Sequence, residues 1–384
     1  MPGTQPRTLV VTNDFPPRQG GIETFVRAMT DRFPPDGVVV FTSSERGAAA
    51  HDADLPYPVV RDRAATLLPT PRATSRAVEL ALRYGCDRVW FGAAAPLGLM
   101  ARPLRREAGI RRLVATTHGH EVWWARTPGA RGLLRRIGTG VDTMTCLGES
   151  TRAPIAAALG AEGRGASGAA RLERLVPGVD PDAFRPRDDG GTVRETYGLG
   201  DRPVILCAAR LVARKGQDAL IRALPRVRAA VPDATLLLVG AGPYARGLRR
   251  LAAARGVERE VVFAGGHPHA AMPPFFAAAD VFAMPCRTRR AGLEVEGLGI
   301  VYLEAAAAGL PVLAGDSGGA PDAVRDGETG HVVDGRRTDE IADRLVALLR
   351  DREAAREMGR KGREWVRTEW DWDRSYDRLA ALLA

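Results

Sequence analysis

Short, almost unbroken apolar runs recur along this chain, and each is followed by a segment whose apolar residues return every three or four positions. In the first half the runs fall at 8–14 (TLVVTND), 37–42 (GVVVFT), 87–91 (DRVWF), 112–117 (RLVATT) and 141–146 (VDTMTC). Strands buried on both faces read as continuous apolar runs, and alternation with helices implies a parallel sheet covered on either side. Residues 159–171 (LGAEGRGASGAAR) read as a flexible loop, and the charged, Pro- and Gly-rich stretch 180–201 as an interdomain connection. The alternation then restarts at 203–210 (PVILCAAR), 234–240 (ATLLLVG), 260–265 (EVVFAG), 280–285 (DVFAMP) and 310–315 (LPVLAG). The pattern predicts an α/β chain of two Rossmann-like, doubly wound domains, over 1–180 and 181–366. A ligand cleft is expected between the carboxyl ends of their strands.

Composition narrows the class. A length of 384 residues suits two domains, and 45% hydrophobic residues suffice for two cores. No run approaches the ~20 apolar residues that span a bilayer, and no signal peptide is read at the start. Cys86, Cys146, Cys207 and Cys286 lie at no metal or redox spacing, so they read as buried hydrophobes of a cytoplasmic protein. The net charge is +9, yet only two of the 55 basic residues are lysines, Lys215 and Lys361. Such an arginine bias points to genome composition rather than to nucleic-acid binding. The charge is uneven: nine arginines against Glu107 and Glu121 give residues 102–136 a local +7. That patch is either a solvated face or a surface for anionic lipid or a phosphorylated substrate.

Four segments that follow apolar runs carry candidate chemistry. Gly20 and Gly21 would let the backbone approach a ligand at the start of a helix, where free N–H groups suit an anion. In AARLVARKG (208–216), Arg210 and Lys215 suit a diphosphate at a cleft edge, with Arg214 beside them. A lysine at that junction, in a chain that otherwise uses arginine, is itself a signal. In EVEGLGIVYLEAAAAG (294–309), Gly297, Leu298 and Gly299 lead into an apolar helix whose first amides, at Gly299, Ile300 and Val301, form an anion site. Glu296 before that helix must bond a neutral hydroxyl or a developing positive charge, and Glu304, about one turn inside, can accept two ribose hydroxyls. His118, in TTHGHEVWW (116–124), closes the set at a strand end.

Other patterns lead elsewhere. VGAGPYA (239–245) satisfies the dinucleotide pattern Gly-x-Gly-x-x-Ala, but the next strand ends without the acid that grips a ribose, against a dehydrogenase. Asp52 and Asp54 imitate a metal-binding carboxylate pair but sit in a surface turn. The pairs His118/His120 and His267/His269 have no third ligand at readable spacing, so no metal is assigned. A sugar-nucleotide epimerase shares the architecture, and an adaptor or RNA binder lacks aromatic–basic interleaving.

Together these segments resemble the retaining GT-B glycosyltransferases of the glycosyl transferases group 1 family. The likeness runs through Gly-Gly-Ile-Glu near the start, an Arg with a Lys five residues on, VGAGP after a strand, and the glutamates flanking GLGIV. The loop 284–324 is longer than the common form and is similar to that of bacterial PimB-type phosphatidylinositol mannosyltransferases. Where the family often carries Pro-Asn-Gly-Val-Asp, this chain has VPGVD at 176–180. The resemblance implies an acceptor-binding first domain, a nucleotide-sugar-binding second one, and a last helix over 367–384 that packs back on the first. It implies that Arg210, Lys215 and the amides of Gly299–Val301 hold the diphosphate, that Glu304 binds the ribose and Glu296 a donor-sugar hydroxyl. It also sets His118 near the donor's C6 hydroxyl and the base in the loop of Gly266 and His267. The implied activity is retaining, cofactor-free and metal-independent transfer of mannose from GDP-mannose to a phosphatidylinositol mannoside at the inner membrane face. A UDP-sugar donor with a small inositol or lipid-sugar acceptor is the alternative.

Overall fold

The structure is a computed structural model, and it describes residues 6–18, 20–160, 169–187, 189–292 and 294–384. It divides into two compact units, Met1–Pro177 with Trp372–Ala384, and Gly178–Asp371.

Unit 1 is built on seven strands: β1 (Thr8–Val11), β2 (Val38–Thr42), β3 (Val59–Arg61), β4 (Arg88–Phe91), β5 (Arg112–Thr116), β6 (Thr143–Cys146) and β7 (Arg171–Arg174). They pair all-parallel in the order β3-β2-β1-β4-β5-β6-β7. Side chains alternate between two apolar layers, as a pleated strand requires. Leu9, Val11, Phe41 and Phe91 enter one core, and Val10, Val40 and Trp90 the other. Three buried polar side chains of the sheet are linked in a chain: Trp90 Nε1 donates to Thr116 Oγ1 at 2.9 Å, and Thr145 Oγ1 donates to the same oxygen at 3.1 Å. The helix Trp372–Leu383 belongs to this unit and buries Leu379 and Leu383 beside Phe25 and Trp90.

Unit 2 carries β8 (Val204–Ala208), β9 (Thr235–Val239), β10 (Val261–Gly265), β11 (Val281–Met284), β12 (Val312–Gly315) and β13 (Gly330–Val333). Its parallel order is β10-β9-β8-β11-β12-β13. In each unit the order reverses direction at one point, between β1 and β4 and between β8 and β11. Ligands of open α/β sheets bind beyond the carboxyl ends of the strands at such a point.

The ten apolar runs are all strands; β3, β7 and β13 are additional. These three lie at sheet edges, and their half-exposed residues make no continuous apolar run. Of the loop expected at 159–171, residues 161–168 lie outside the described residues, and Arg171 already pairs in β7. Among the described residues no helix is long and apolar enough to cross a membrane.

Candidate active site

Beyond β8 the chain runs through Arg210 into a single turn, Ala213–Lys215. Glycines let neighbouring backbone close on this segment. A Cβ on Gly240 would overlap the carbonyl oxygen of Ala209, and one on Gly242 that of Leu211. The glycines of VGAGP therefore serve close packing against the Arg210 turn. Gly216, at φ 80°, brings the turn against Pro285, whose carbonyl oxygen a Cβ would overlap.

These crossings place Lys215 and Arg214 on Glu296. Lys215 Nζ lies 2.8 Å and Arg214 Nη1 2.7 Å from the same oxygen, Glu296 Oε2. Glu296 is only 7% exposed. Burial alone would push its carboxyl pKa up, but the two cations outweigh that and hold it below the ordinary value, so the group is ionised. Its main chain is pinned as well: its N–H donates to Ser317 Oγ at 3.2 Å, and its carbonyl accepts from Gly319 N at 3.0 Å. Arg210 is exposed, and its guanidinium has no partner among the described residues. Two cations are thus committed to a buried carboxylate while a third is free.

The next helix, Ile300–Ala307, starts from Gly299 at φ 80° and ψ 69°. The Tyr302 N–H already donates to the Gly299 carbonyl at 2.9 Å, while the N–H groups of Ile300 and Val301 before it have no carbonyl to meet within the helix, which is the basis of an anion site. Tyr302 donates its hydroxyl to the carbonyl of Met284 at 2.6 Å and so ties the helix to the end of β11. Glu304 is buried and accepts a hydrogen bond from His269 Nε2 at 2.7 Å. That bond raises the His269 pKa above 6.5 despite partial burial. In the sequence His269 is only half of an incomplete metal pair, and nothing there marks it as a partner of Glu304. The ring of His267, which with Gly266 is assigned to the base loop, packs on Phe275 at 4.7 Å between centroids and lies 3.1 Å from the Ala264 carbonyl.

A pH effect follows from His269. The His269 imidazole is charged below its raised pKa and loses that charge as pH rises through it, which loosens its hold on Glu304. If Glu304 receives the donor ribose, the Michaelis constant for a diphosphate sugar should fall several-fold as pH rises through that point. Initial rates across the neutral range should show this in the native protein and not in His269→Ala; identical pH profiles would remove His269 from donor binding.

In unit 1, His118 follows β5 and lies beside the end of β4. Its Nε2 is 2.6 Å from the Gly92 carbonyl oxygen, which can only accept, so Nε2 carries the proton and Nδ1 is the ring's acceptor. Burial lowers its pKa against the pull of Glu121, and the imidazole is neutral. Glu121 Oε2 accepts the backbone N–H of His118 at 3.0 Å, and Phe25 meets the ring edge-on at 5.2 Å. A neutral imidazole with an acceptor nitrogen can take a hydrogen bond from a sugar hydroxyl. Gly20 and Gly21 do open a helix, Gly21–Thr30, but Glu23 folds its carboxylate back over Gly20. That helix start already carries an anion of its own.

Residues 192–365 match the glycosyl transferases group 1 family, and residues 19–183 match glycosyltransferase family 4. Over 98% of both chains, the sequence is 50% identical to a protein of Mycolicibacterium smegmatis named GDP-mannose-dependent alpha-(1-6)-phosphatidylinositol monomannoside mannosyltransferase. A Corynebacterium glutamicum relative, named as acting on the monoacylated form of that lipid, is 46% identical over 98% of this chain and 97% of its own. The chain belongs to the glycosyl transferases group 1 family. Among solved structures, Anabaena HepE in complex with UDP superposes with a TM-score of 0.82 at 19% identity, covering 98% of this chain and 99% of its own. That likeness concerns the two-domain GT-B fold.

For this glycosyltransferase the decoys have structural reasons. Asp52 accepts from Arg61 Nε at 2.7 Å and from Nη2 at 2.8 Å, and it also meets His51. Lys215, expected at a cleft edge, has a mostly buried side chain, 12% exposed. In and beside the basic stretch 102–136, Leu134 and Ile137 are fully buried in the core and so are not available to an interface. Arg131 and Arg135 donate to the carbonyls of Ala157 and Ala158, at 3.0 and 2.6 Å, and Arg105 pairs with Asp142. Trp123 and Leu133, 39% and 36% exposed, are the large apolar side chains this stretch leaves to solvent.

Proposed function

We propose that this transferase moves mannose from GDP-mannose, with retention and without a metal ion, onto a phosphatidylinositol mannoside. The observation that carries the reading is the 50% identity, across 98% of both chains, to a relative named for that donor and that acceptor class. The unit 2 clamp supports it chemically. When the bond from anomeric carbon to diphosphate oxygen breaks, its electron pair stays on the phosphate. Arg210, Lys215 and the amides at Gly299, Ile300 and Val301 offer positive charge for that oxygen without a divalent cation. Glu304 accepts ribose hydroxyls, Glu296 a hydroxyl of the donor sugar, and the Nδ1 of His118 the C6 hydroxyl. The acceptor hydroxyl attacks from the face the phosphate leaves, and its proton passes to the departing phosphate oxygen.

Mass spectrometry of products from purified protein, offered GDP-mannose or UDP-glucose with membrane lipids or free inositol, tests the reading. The expected product is a dimannosylated phosphatidylinositol, formed from GDP-mannose alone. Transfer from UDP-glucose to free inositol would establish the alternative. The rate should be unchanged in excess EDTA; loss of activity restored by Mn²⁺ would overturn the metal-independent reading.

A lipid acceptor calls for a membrane surface, and the reading puts the reaction at the inner face. Docking there falls to Trp123 and Leu133 with the neighbouring Arg126 and Arg136, since Leu134, Ile137, Arg131 and Arg135 are engaged elsewhere. Each arginine near an anionic surface contributes about 1 kcal/mol, and salt weakens it. Co-sedimentation with anionic vesicles should therefore exceed that with neutral ones at low salt, and should drop in Arg126→Ser/Arg136→Ser. Binding indifferent to lipid charge would exclude this face.

A further inference from the structure

Beyond β11, before Glu296, the chain forms a loop with an unusual concentration of positive charge. Arg287, Thr288, Arg289, Arg290 and Gly292, with Arg336 from the turn after β13, line a cavity of ≈ 390 Å³. Four guanidinium groups meet only two carboxylates there. Arg287 spends both oxygens of Asp218, at 2.8 Å each, and Glu294 is shared between Arg289 at 3.3 Å and Arg290 at 3.2 Å. No carboxylate is among the described residues lining the cavity. Arg290 is also the one non-glycine residue, among those described, with a positive φ, at 51°. Left-handed backbone at a non-glycine residue is strained and gathers at ligand-binding sites. Arg287 is the buried member, its side chain 14% exposed, whereas Arg289 and Arg290 leave 40% and 70% of theirs open to an incoming anion.

The loop is wired to the donor clamp. The Arg287 N–H donates to the Arg214 carbonyl at 2.8 Å, and Arg336 donates to the Thr288 carbonyl at 2.7 Å. The Thr288 hydroxyl lies 3.0 Å from that of Ser317, which in turn accepts the Glu296 N–H. An anion in the cavity would rest on the same frame that holds Glu296.

We propose that this arginine loop is a second phosphoryl-binding site of unit 2, separate from the diphosphate clamp, and that it receives the phosphodiester of the acceptor. Guanidinium forks match the paired oxygens of a phosphate ester, and one tetrahedral anion can satisfy several of them. The acceptor assignment rests on the function proposed above; the affinity for a phosphoryl group does not.

The test compares the native protein with Arg289→Ser/Arg290→Ser. With phosphatidylinositol mannoside, kcat/KM should fall on the order of 100-fold, through KM, as expected for two lost charge-assisted contacts. With the corresponding mannosyl inositol lacking phosphate it should not change, nor should the KM for GDP-mannose. Equal losses on both acceptors, or none on the lipid, would overturn the proposal. Calorimetric titration of inositol 1-phosphate and of inorganic phosphate into GDP-saturated protein gives a readout free of the acceptor reading. Binding by the native protein that the variant loses supports the site even if neither acceptor is mannosylated, a result that would sink only the proposed function. Binding of inorganic phosphate alone would confine the site to free phosphate, and no binding of either anion to the native protein would refute it.

Discussion

Changing Lys215 to Ala is expected to lower kcat on the order of 100-fold or more, the usual consequence of removing a charge that stabilises a leaving anion. The change should also weaken the fold. Nζ sits 2.8 Å from a buried carboxylate, and its loss leaves Glu296 with Arg214 as its cation. Removing one partner of a buried pair costs about 3–5 kcal/mol, and the surviving arginine keeps the loss under that range. Urea melts give the stability term, and initial rates at saturating donor give the catalytic one. Lys215→Arg keeps the charge and should restore most of the stability but less of the rate, because the fork of a guanidinium does not replace a point charge. Near-native turnover by Lys215→Ala would remove this residue from the diphosphate site.

Glu296→Gln is expected to cost a similar factor in turnover, on the order of 100-fold or more, while leaving GDP binding equal or tighter. The physical reason is competition. Glu296 Oε2 neutralises both Lys215 and Arg214. A neutral amide surrenders them to the diphosphate, yet cannot meet the positive charge that develops on the sugar ring. Calorimetric titration of GDP separates the two effects from the rate. Markedly weaker GDP binding in the variant would mean that Glu296 orders the cations rather than competing for them.

Much of this site is visible in the sequence, and the rest is hidden for definable reasons. Continuous apolar runs mark every strand buried on both faces, and the candidate residues follow those strands. A lysine in a chain that otherwise uses arginine almost throughout marks Lys215. The contacts that organise the site join residues far apart in the chain: Arg214 and Glu296 are 82 positions apart, His269 and Glu304 are 35. No local spacing records such a partnership. The only clue was thermodynamic, since a carboxylate on an apolar helix requires a partner. The basic helix Pro128–Gly138 shows the converse limit. Its amphipathic pattern is plain, but periodicity does not say whether the apolar face meets lipid or the protein's own core, and here Leu134 and Ile137 meet the core.

The return of Trp372–Leu383 to the first unit has a consequence for synthesis on the ribosome. Phe25 and Trp90 share their apolar layer with Leu379 and Leu383, which are translated only after the whole of Gly178–Asp371. At roughly 5–20 residues per second, that interval lasts on the order of 10–40 s. Throughout it the nascent first unit exposes the apolar surface that its last helix will cover, while the second already has all its strands. The half that begins first is completed last, and that open layer is where a chaperone would find the emerging chain.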